Sequence, residues 1–351
     1  MNVGLKPGLR SPTTAGCIIF AAHYPVKMHT LPQLLSKIAD FAAKNPFPDS
    51  PKELYEPCDY ILTLGGKRIR PALLLMGYEL FRDDVERALP AAWAVELFHN
   101  FSLMHDDIMD AAPLRRGQPT VHSKWNASTG ILSGDVMLIY AYRFLGLIES
   151  EIAPDLINAF SVMATEVCEG QQMDMNFETR SDVGVEEYIR MIELKTAVLL
   201  GFAVSAGAFC ARADWPAAER LERFGRLAGI AFQIQDDLLD TYGDPAKFGK
   251  QVGGDILQNK KTLLVLKTLE VAPDADRQEL RHWMQTGAEN PGEKVGAVRA
   301  IFDRNGIPEL VAAEKRRYQE KAFWYLDGVA VSHERKAILW KTVEDLLERE
   351  S

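Results

Sequence analysis

Cysteine is scarce in this sequence: only four cysteines stand among 351 residues, at positions 17, 58, 168 and 210. No two of them are close enough to form the C-x-x-C pattern of a redox or zinc site. Scattered single thiols are typical of a reduced intracellular protein, so the composition argues against a disulfide-stabilised domain and favours a cytoplasmic location.

Long hydrophobic runs are also missing. The longest charge-free apolar run extends from Thr196 to Ala211 and is too short for a comfortable membrane crossing. Its many small residues favour a buried, closely packed helix. We therefore expect no integral membrane segment.

Positive charge is in deficit, since 40 lysines and arginines oppose 49 aspartates and glutamates and leave a formal net charge of −9. Neutralising the phosphates of a nucleic acid needs a basic surface, so a general nucleic-acid binder is excluded. An anionic small molecule would need its positive contacts concentrated locally. The G-x-x-x-x-G-K-[ST] phosphate loop is absent as well.

The first 27 residues differ from the rest of the chain. Lys6, Arg10 and the short apolar patch Cys17 to Ala22 weakly resemble a signal peptide, but the patch is too short for a convincing apolar core. Several prolines disfavour a helix there. We predict that residues 1–27 form a poorly ordered extension. Met28 is a natural alternative start, because an apolar helical pattern begins directly after it.

Helical periodicity dominates from Leu31 onward, and no convincing strand is bounded by hairpin turns. The breaks between helical stretches are short, and none reads as a domain linker. Residues 28–351 are therefore predicted to form one all-α domain of ten or more helices. The predicted stretches after the first helix are 52–63, 70–81, 86–110, 127–149, 153–176, 185–210, 215–241, 259–270, 275–286, 292–304, 306–327 and 332–350.

Two acidic motifs of the form D-D-x-x-D stand at the ends of long apolar helical stretches. Positions i and i+4 share one helix face, so each motif presents two carboxylates in line with a third beside them. Such a cluster repels itself unless a cation compensates, and Mg²⁺ uses a few carboxylates, waters and substrate phosphates. A solvated acidic helix end is the alternative, but two copies on apolar helices disfavour it. The predicted magnesium ligands are Asp106, Asp107, Asp110, Asp236, Asp237 and Asp240.

Basic residues follow each acidic motif and also open a helix upstream of both. A glycine pair, Gly65-Gly66, precedes Lys67 and Arg70, where the backbone can approach an anion closely. Each of these basic residues, taken alone, could equally be an ordinary charged residue on the surface. Together they form the pattern expected when metal ions and basic side chains share a diphosphate. The other basic residues of the pattern are Arg115, Arg116, Lys195, Lys250 and Lys260.

Taken together, these motifs resemble those of the trans-isoprenyl (polyprenyl) diphosphate synthases. The resemblance extends from about Leu31 to the C-terminus of the chain. The resemblance implies a bundle of mostly antiparallel helices around a central apolar cavity, and a homodimer. The motifs that carry it are Gly65 to Pro71, Leu97 to Asp110, Arg115-Arg116-Gly117, Gly170 to Asp174, Lys195-Thr196, Phe232 to Asp240, Gly249-Lys250, and Gly253 to Lys260.

The resemblance also implies roles for individual residues. The first group would bind isopentenyl diphosphate: Gly66, Lys67, Arg70, His99 and Arg116. The second would contact the allylic diphosphate: Arg115, Lys195, Thr196, Gln233, Lys250 and Lys260. Asp106, Asp110, Asp236 and Lys195 would be catalytic, with Gln171 and Asp174 in support. His99 alone, two helical turns before Asp106, would more often be a core histidine.

The implied reaction is magnesium-dependent, head-to-tail condensation of isopentenyl diphosphate with an allylic diphosphate. A class I terpene cyclase and a medium- or long-chain synthase are the alternatives, and a non-catalytic subunit would have lost an acidic cluster. Helix geometry nominates Ser102 and Phe98 as the floor of the product cavity, whereas the resemblance nominates Phe101, five residues before Asp106. An aromatic residue there resembles short-chain synthases, so we expect geranylgeranyl diphosphate as the main product, with farnesyl diphosphate close behind.

Overall fold

The computed structural model describes residues 28–243, 252–287 and 290–348. The predicted extension 1–27 lies outside the described residues, as does Lys250. The remaining predicted site residues all fall within them.

The described part of the chain is almost entirely helical, which confirms the all-α fold class. A 3₁₀ turn extends over Val85–Ala88, and a π-helical segment extends over Glu193–Ala197. The α-helices are α1 Leu31–Lys44, α2 Lys52–Thr63, α3 Ile69–Glu79, α4 Leu89–Met109, α5 Val121–Lys124, α6 Ala127–Leu145, α7 Ala153–Thr179, α8 Val185–Ile192, α9 Val198–Cys210, α10 Trp215–Tyr242, α11 Gly254–Leu257, α12 Leu263–Val271, α13 Asp274–Gln285, α14 Pro291–Arg304, α15 Ile307–Asp327 and α16 His333–Glu348.

The core is built on two helices with little polar surface, α3 and α9. They pack directly on one another, and α9 also packs on α10. A Cβ atom on Gly77 would stand 2.2 Å from the carbonyl oxygen of Val204, and one on Gly207 would stand 2.0 Å from that of Leu74. These backbones can approach so closely only because both positions lack a side chain. The small residues of the apolar run therefore have the packing role predicted for them.

One stretch, Val185–Cys210, is long and apolar enough to cross a membrane by length and composition alone. Most of it is buried among the other helices of the described fold, as expected for a core helix.

Several local features differ from the sequence-based prediction. The stretch 86–110 divides into the 3₁₀ turn and α4, and the predicted helix 259–270 begins only at Leu263. Asn259 has a φ of 57°, which an α-helix cannot contain. A two-stranded hairpin, β1 Leu114–Arg115 and β2 Gln118–Pro119, follows α4. Strands of two residues are too short to leave a periodic pattern in the sequence.

Candidate active site

The first acidic motif stands at the C-terminal end of α4, facing a lysine from another part of the chain. Nζ of Lys195 lies 3.2 Å from Oδ1 of Asp106 and 2.6 Å from Oδ2 of Asp174 on α7. Burial lowers the pKa of Lys195, but the negative charges of the two aspartates outweigh it, and the net shift is upward. Lys195 is therefore a fixed cation beside the carboxylates.

Lys195 reaches this position from the π-helical segment between α8 and α9. The wider turn of a π-helix offsets the residues on either side, and such segments often occur at functional sites. Helix α7 passes very close to it: a Cβ atom on Gly170 would stand 2.2 Å from the backbone nitrogen of Lys195. Gly170 thus allows α7 to bring Asp174 against the lysine.

Asp107, the middle residue of the first motif, is buried and already paired. Arg115 donates from Nε to Oδ2 of Asp107 and from Nη2 to Oδ1, both at 2.8 Å. The same Nη2 lies 3.8 Å from Asp106. Both oxygens of Asp107 accept from Arg115 in this bidentate ion pair, and its role as a magnesium ligand stays a prediction. The pair holds Arg115 beside Asp106.

The hairpin after α4 carries the second arginine to the glycine pair. Arg116 and Gly117 form its two-residue turn, with φ values of 54° and 75°, as a type I′ turn requires. The guanidinium of Arg116 lies against Gly66, where a Cβ atom would stand 2.8 Å from Nη1. Gly66 leaves room for this arginine, so two motifs far apart in sequence form one basic surface.

A basic cavity of about 340 Å³ lies beneath this surface. Nη1 of Arg70 donates to Nε2 of His99 at 3.1 Å, since a guanidinium can only donate. Burial, together with the charges of Arg70, Arg116 and Arg115, holds the pKa of His99 well below its usual range. His99 is therefore neutral at pH 7. The cavity is lined by Gly66, Lys67, Arg68, Ile69, Arg70, Glu96, His99, Arg116, Leu200, Phe232 and Leu346.

Glu96 is a residue of this cavity that sequence reasoning missed. It is buried on α4, and its Oε1 accepts a hydrogen bond of 3.2 Å from Nδ2 of Asn100. Burial raises the pKa of Glu96, against the opposing charges of Arg68 and Arg70. The sequence feature that could have identified Glu96 is a charged residue within an apolar helical stretch, one turn before His99. As a carboxylate, Glu96 offsets part of the positive charge that surrounds the cavity.

The second acidic motif repeats the arrangement of the first on α10. Asp237, its middle residue, is buried and accepts hydrogen bonds from Tyr188 Oη and from the backbone nitrogen of Leu263, the latter at 3.2 Å. Burial and the charge of Asp255 raise the pKa of Asp237 to about 7. Asp237, like Asp107, is thus held by protein partners, and its role as a magnesium ligand stays a prediction. Tyr188 had no sequence signal that marked it.

The outer residues of the second motif lie at the boundary between α10 and α11. Oδ2 of Asp240 accepts a hydrogen bond of 3.0 Å from the backbone nitrogen of Asp255. Nζ of Lys260 lies 3.6 Å from Oδ1 of Asp255. Desolvation lowers the pKa of the half-buried Arg70 to about 10, and the negative charges of Glu96 and Asp236 oppose that shift. The second acidic motif therefore faces both the basic cavity and Lys260.

Thr196 and Gln233, two of the expected diphosphate contacts, meet between the acidic motifs. Oγ1 of Thr196 donates to Oε1 of Gln233 at 3.4 Å, and Nε2 of Gln233 donates to Asp237 at 3.4 Å. These weak bonds link the π-helical segment to α10. Gln171 also faces this region, and its buried Nε2 has no hydrogen-bond partner.

A second cavity, about 360 Å³ in volume and largely apolar, extends from Asp106 and Lys195 along α4 and α7. All three residues predicted to limit product length, Phe98, Phe101 and Ser102, line it. Arg70 and His99 line both cavities and form the wall between them. Two anionic ligands would thus be held on opposite sides of this pair.

The outer carboxylates fit a hard divalent cation. Oδ1 of Asp106 is buried and accepts no hydrogen bond, although Lys195 lies nearby. Burial and the charge of Asp106 raise the pKa of Asp110. No three acidic, histidine or cysteine side chains close around one point within the described ranges. Mg²⁺ takes few protein carboxylates and completes its shell with water and phosphate.

The profile of the family described as polyprenyl synthetase matches residues 51–301. The chain belongs to the polyprenyl synthetase family. The match spans both acidic motifs, the basic loop and Lys195. The resemblance read from the motifs is therefore confirmed at the level of the family.

Relatives in this family support the same conclusion. The short chain isoprenyl diphosphate synthase of Methanothermobacter thermautotrophicus is 38% identical over 317 residues, which are 90% of this chain and 96% of that protein. The geranylgeranyl diphosphate synthase of Methanosarcina mazei is 44% identical over 222 residues, 63% of this chain and 68% of that protein. A crystal structure of a geranylgeranyl pyrophosphate synthase superposes with a TM-score of 0.88 at 44% identity, covering 92% of this chain and all of that one. The protein is a short-chain prenyltransferase.

Proposed function

We propose that this polyprenyl synthetase condenses isopentenyl diphosphate with allylic diphosphates and releases a twenty-carbon product, geranylgeranyl diphosphate. The observation that carries the proposal is the pair of cavities that share the Arg70–His99 wall. One cavity is basic and suits a diphosphate with a short tail. The other cavity has carboxylates and a lysine at its mouth and an apolar interior, which suits a diphosphate with a long hydrocarbon tail.

Mg²⁺ bound by the outer aspartates, Asp106, Asp110, Asp236 and Asp240, would neutralise the allylic diphosphate and make it a better leaving group. Lys195 is positioned to stabilise the charge that develops on the departing oxygen. Lys260 supplies a second cation from the side of α11. Arg115, fixed by Asp107, contributes a third, and Lys250 remains a predicted contact.

The carbon chemistry follows from this arrangement. The allylic C–O bond breaks, leaving its electron pair on the diphosphate and a cation on the allyl group. The double bond of isopentenyl diphosphate, held by Lys67, Arg70 and Arg116, attacks that cation and forms the new C–C bond. A proton then passes to the released diphosphate, and a new double bond forms. Neutral His99 can accept a bond from Arg70 without adding charge beside the cation.

The aromatic residues on α4 support a short product. Phe98 is buried against Phe160, and Phe101 contacts Phe98 with 5.6 Å between ring centroids. These rings close off one part of the apolar cavity, so a growing chain must stop or displace them. Farnesyl diphosphate is the nearest alternative product, because it differs by a single condensation.

A class I terpene cyclase is the other enzyme class that ionises allylic diphosphates in a helical bundle. Such an enzyme uses one substrate. The basic cavity on the far side of Arg70 and His99 would then have no ligand, which favours the synthase. A medium- or long-chain synthase would need a cavity with no aromatic floor.

We also propose that two copies associate through α6. Helices α6 and α7 carry several large apolar side chains that are exposed, and exposed apolar surface of this kind can mark a protein–protein contact. A cytoplasmic location is proposed from the scattered thiols and the buried apolar stretch. The exposed residues are Ile131, Leu132, Ile139 and Val162.

The test incubates the purified protein and Mg²⁺ with labelled isopentenyl diphosphate and, separately, dimethylallyl, geranyl or farnesyl diphosphate. Products are sized by chromatography after dephosphorylation. We expect a main twenty-carbon product from each starter and no turnover with a chelator present. Products of thirty carbons or more would refute the short-cavity argument. Release of a cyclic hydrocarbon without uptake of label would favour the cyclase.

A further inference from the structure

The ring of Phe101, which lines the product cavity, is supported by the side chain of His105. Phe101 and His105 lie one helical turn apart on α4, and their ring centroids are 4.7 Å apart in an edge-to-face arrangement. Phe98 contacts Phe101 from the other side, at 5.6 Å. All three rings line the cavity or its wall. The orientation of Phe101 therefore depends on where His105 is held.

His105 is held by the neighbouring helix α6. Its Nε2 lies 3.1 Å from the backbone carbonyl oxygen of Ile131. A carbonyl oxygen can only accept, so Nε2 carries the proton and donates it. The next charged group is Asp135, whose carboxylate lies 3.8 Å from Nε2. His105 is thus anchored across the interface between the two helices.

Gly134 leaves room for this anchor. A Cβ atom on Gly134 would stand 2.4 Å from Nε2 of His105, and the three nearest atoms would all belong to that imidazole ring. Real Cβ atoms do not tolerate such contacts, so any side chain at 134 would push the ring back towards α4 and Phe101. The absence of a side chain at this position therefore leaves the space that the imidazole occupies.

We propose that His105, seated against Gly134 and Ile131, is a positioning residue that sets product length by holding Phe101 across the cavity. The proposal rests on the proposed prenyl-chain elongation and on Phe101 as part of the floor. In this role His105 acts through Phe101 and takes no part in making or breaking bonds. It links the cavity floor to α6, a helix that carries none of the predicted catalytic or binding residues.

Two substitutions should move the product length in opposite directions. His105→Ala removes the support, lets Phe101 turn into the vacated space and lengthens the products. Gly134→Ala pushes the imidazole against Phe101 and shortens them. In the double variant the added methyl group meets no imidazole, so its products should match those of His105→Ala. We expect at least a threefold change in the ratio of twenty-carbon to longer or shorter products for each single variant.

Gly130→Ala is the matched control. Gly130 lies one turn from Gly134 on α6, and its added Cβ would meet Cδ1 of Ile108 at 2.9 Å rather than His105. Its product ratio should equal that of the wild type. Product ratios are compared at equal rates of the first condensation, so partial loss of folded enzyme does not affect them.

Phe101→Ala separates failure of this inference from failure of the proposed function. Phe101→Ala could lengthen the products while His105→Ala leaves them unchanged. That result would refute the proposed support of Phe101 by His105 and would leave Phe101 as the floor of the cavity. An equal effect of Gly130→Ala and Gly134→Ala would also refute it, because general disruption of the α4–α6 interface would then explain both. If Phe101→Ala changes nothing, the floor itself has been placed wrongly.

Discussion

Within each acidic motif, single aspartates have different environments. Asp106 presents a buried oxygen that accepts no hydrogen bond, whereas Asp107 gives both oxygens to Arg115. The second motif repeats the division, with Asp237 held by Tyr188 and by the backbone of Leu263. The D-D-x-x-D spacing alone cannot separate the two roles, because it gives no direction for the middle side chain.

Substituting the two neighbouring aspartates of the first motif should separate catalysis from stability. Asp106→Asn should lower kcat by about 10²–10³-fold, the scale of losing one electrostatic stabiliser. It should change the melting temperature little, because Lys195 keeps Asp174 as a partner and repulsion with Asp110 is relieved. Asp107→Asn should cost about 2–3 kcal/mol of unfolding free energy, because Arg115 loses its buried partner. Steady-state kinetics and urea unfolding measure the two effects. An Asp106→Asn enzyme with normal turnover would overturn the site.

Two adjacent lysines offer a sharper test of the allylic side. Nζ of Lys260 lies beside Asp255 near the acidic motifs, whereas Nζ of Lys261 donates to the carbonyl of Phe177 at 2.6 Å. Lys260→Ala should raise KM for the allylic substrate at least tenfold, because a diphosphate contact is lost, and should change KM for isopentenyl diphosphate less.

Lys261→Ala is the control, and it should leave both KM values within about twofold. Equal effects of the two substitutions would show that the net charge of the loop, rather than the position of Lys260, decides binding. Lys67→Ala should show the reverse preference of Lys260→Ala and raise KM mainly for isopentenyl diphosphate.

At the scale of elements, the site is assembled from segments that interrupt regular helices. The π-helical segment positions Lys195, and the hairpin turn at Arg116-Gly117 brings an arginine to Gly66. The helices themselves were predictable from apolar periodicity. These interruptions were not, because each depends on a close approach to a distant segment.

The first described residues connect the start of α1 to the core. His29 contacts the buried carboxylate of Glu79 through both its ring and its backbone nitrogen, and Thr30 caps α1. A chain that begins at Met28 should therefore fold and keep wild-type activity. A chain that begins at Leu31 should melt several degrees lower, because both contacts are lost. Differential scanning calorimetry compares them, and equal melting temperatures would show that these contacts do not stabilise the fold.

The difference between the two truncated chains should depend on pH. Burial raises the pKa of Glu79, the contact with His29 partly offsets that shift, and Asp83 adds to it. A carboxyl group with a raised pKa stabilises the fold fully at low pH and loses that contribution as pH rises through its folded pKa. Without His29 the pKa of Glu79 is raised further, so more stability is lost as the pH rises. The difference in unfolding free energy between the chains that begin at Met28 and at Leu31 should therefore be small near pH 4 and larger at pH 7. A gap independent of pH would exclude Glu79 as its cause.

At the scale of the whole molecule, the exposed apolar surface of α6 predicts self-association. Ile139→Glu places a charge in the proposed contact and should convert a dimer into a monomer, as measured by sedimentation velocity. Val271→Glu is the control, since Val271 is 51% exposed on α12, against 56% for Ile139 on α6. If both variants sediment as the wild type does, α6 is not the contact surface.

The sequence by itself determined the all-α class, the family and the two acidic motifs, because apolar periodicity and i, i+4 spacing are local properties of a helix. It also nominated Arg70, His99, Lys195 and Gly66 as candidate site residues, and their roles stay predictions. Only the tertiary structure decided that Asp107 and Asp237 face protein partners, that Glu96 lies among the arginines, and that His105 stands against Gly134. Each of these depends on which side chain from another helix fills the adjoining space. Packing between distant segments, unlike helix periodicity, leaves no regular pattern along the chain.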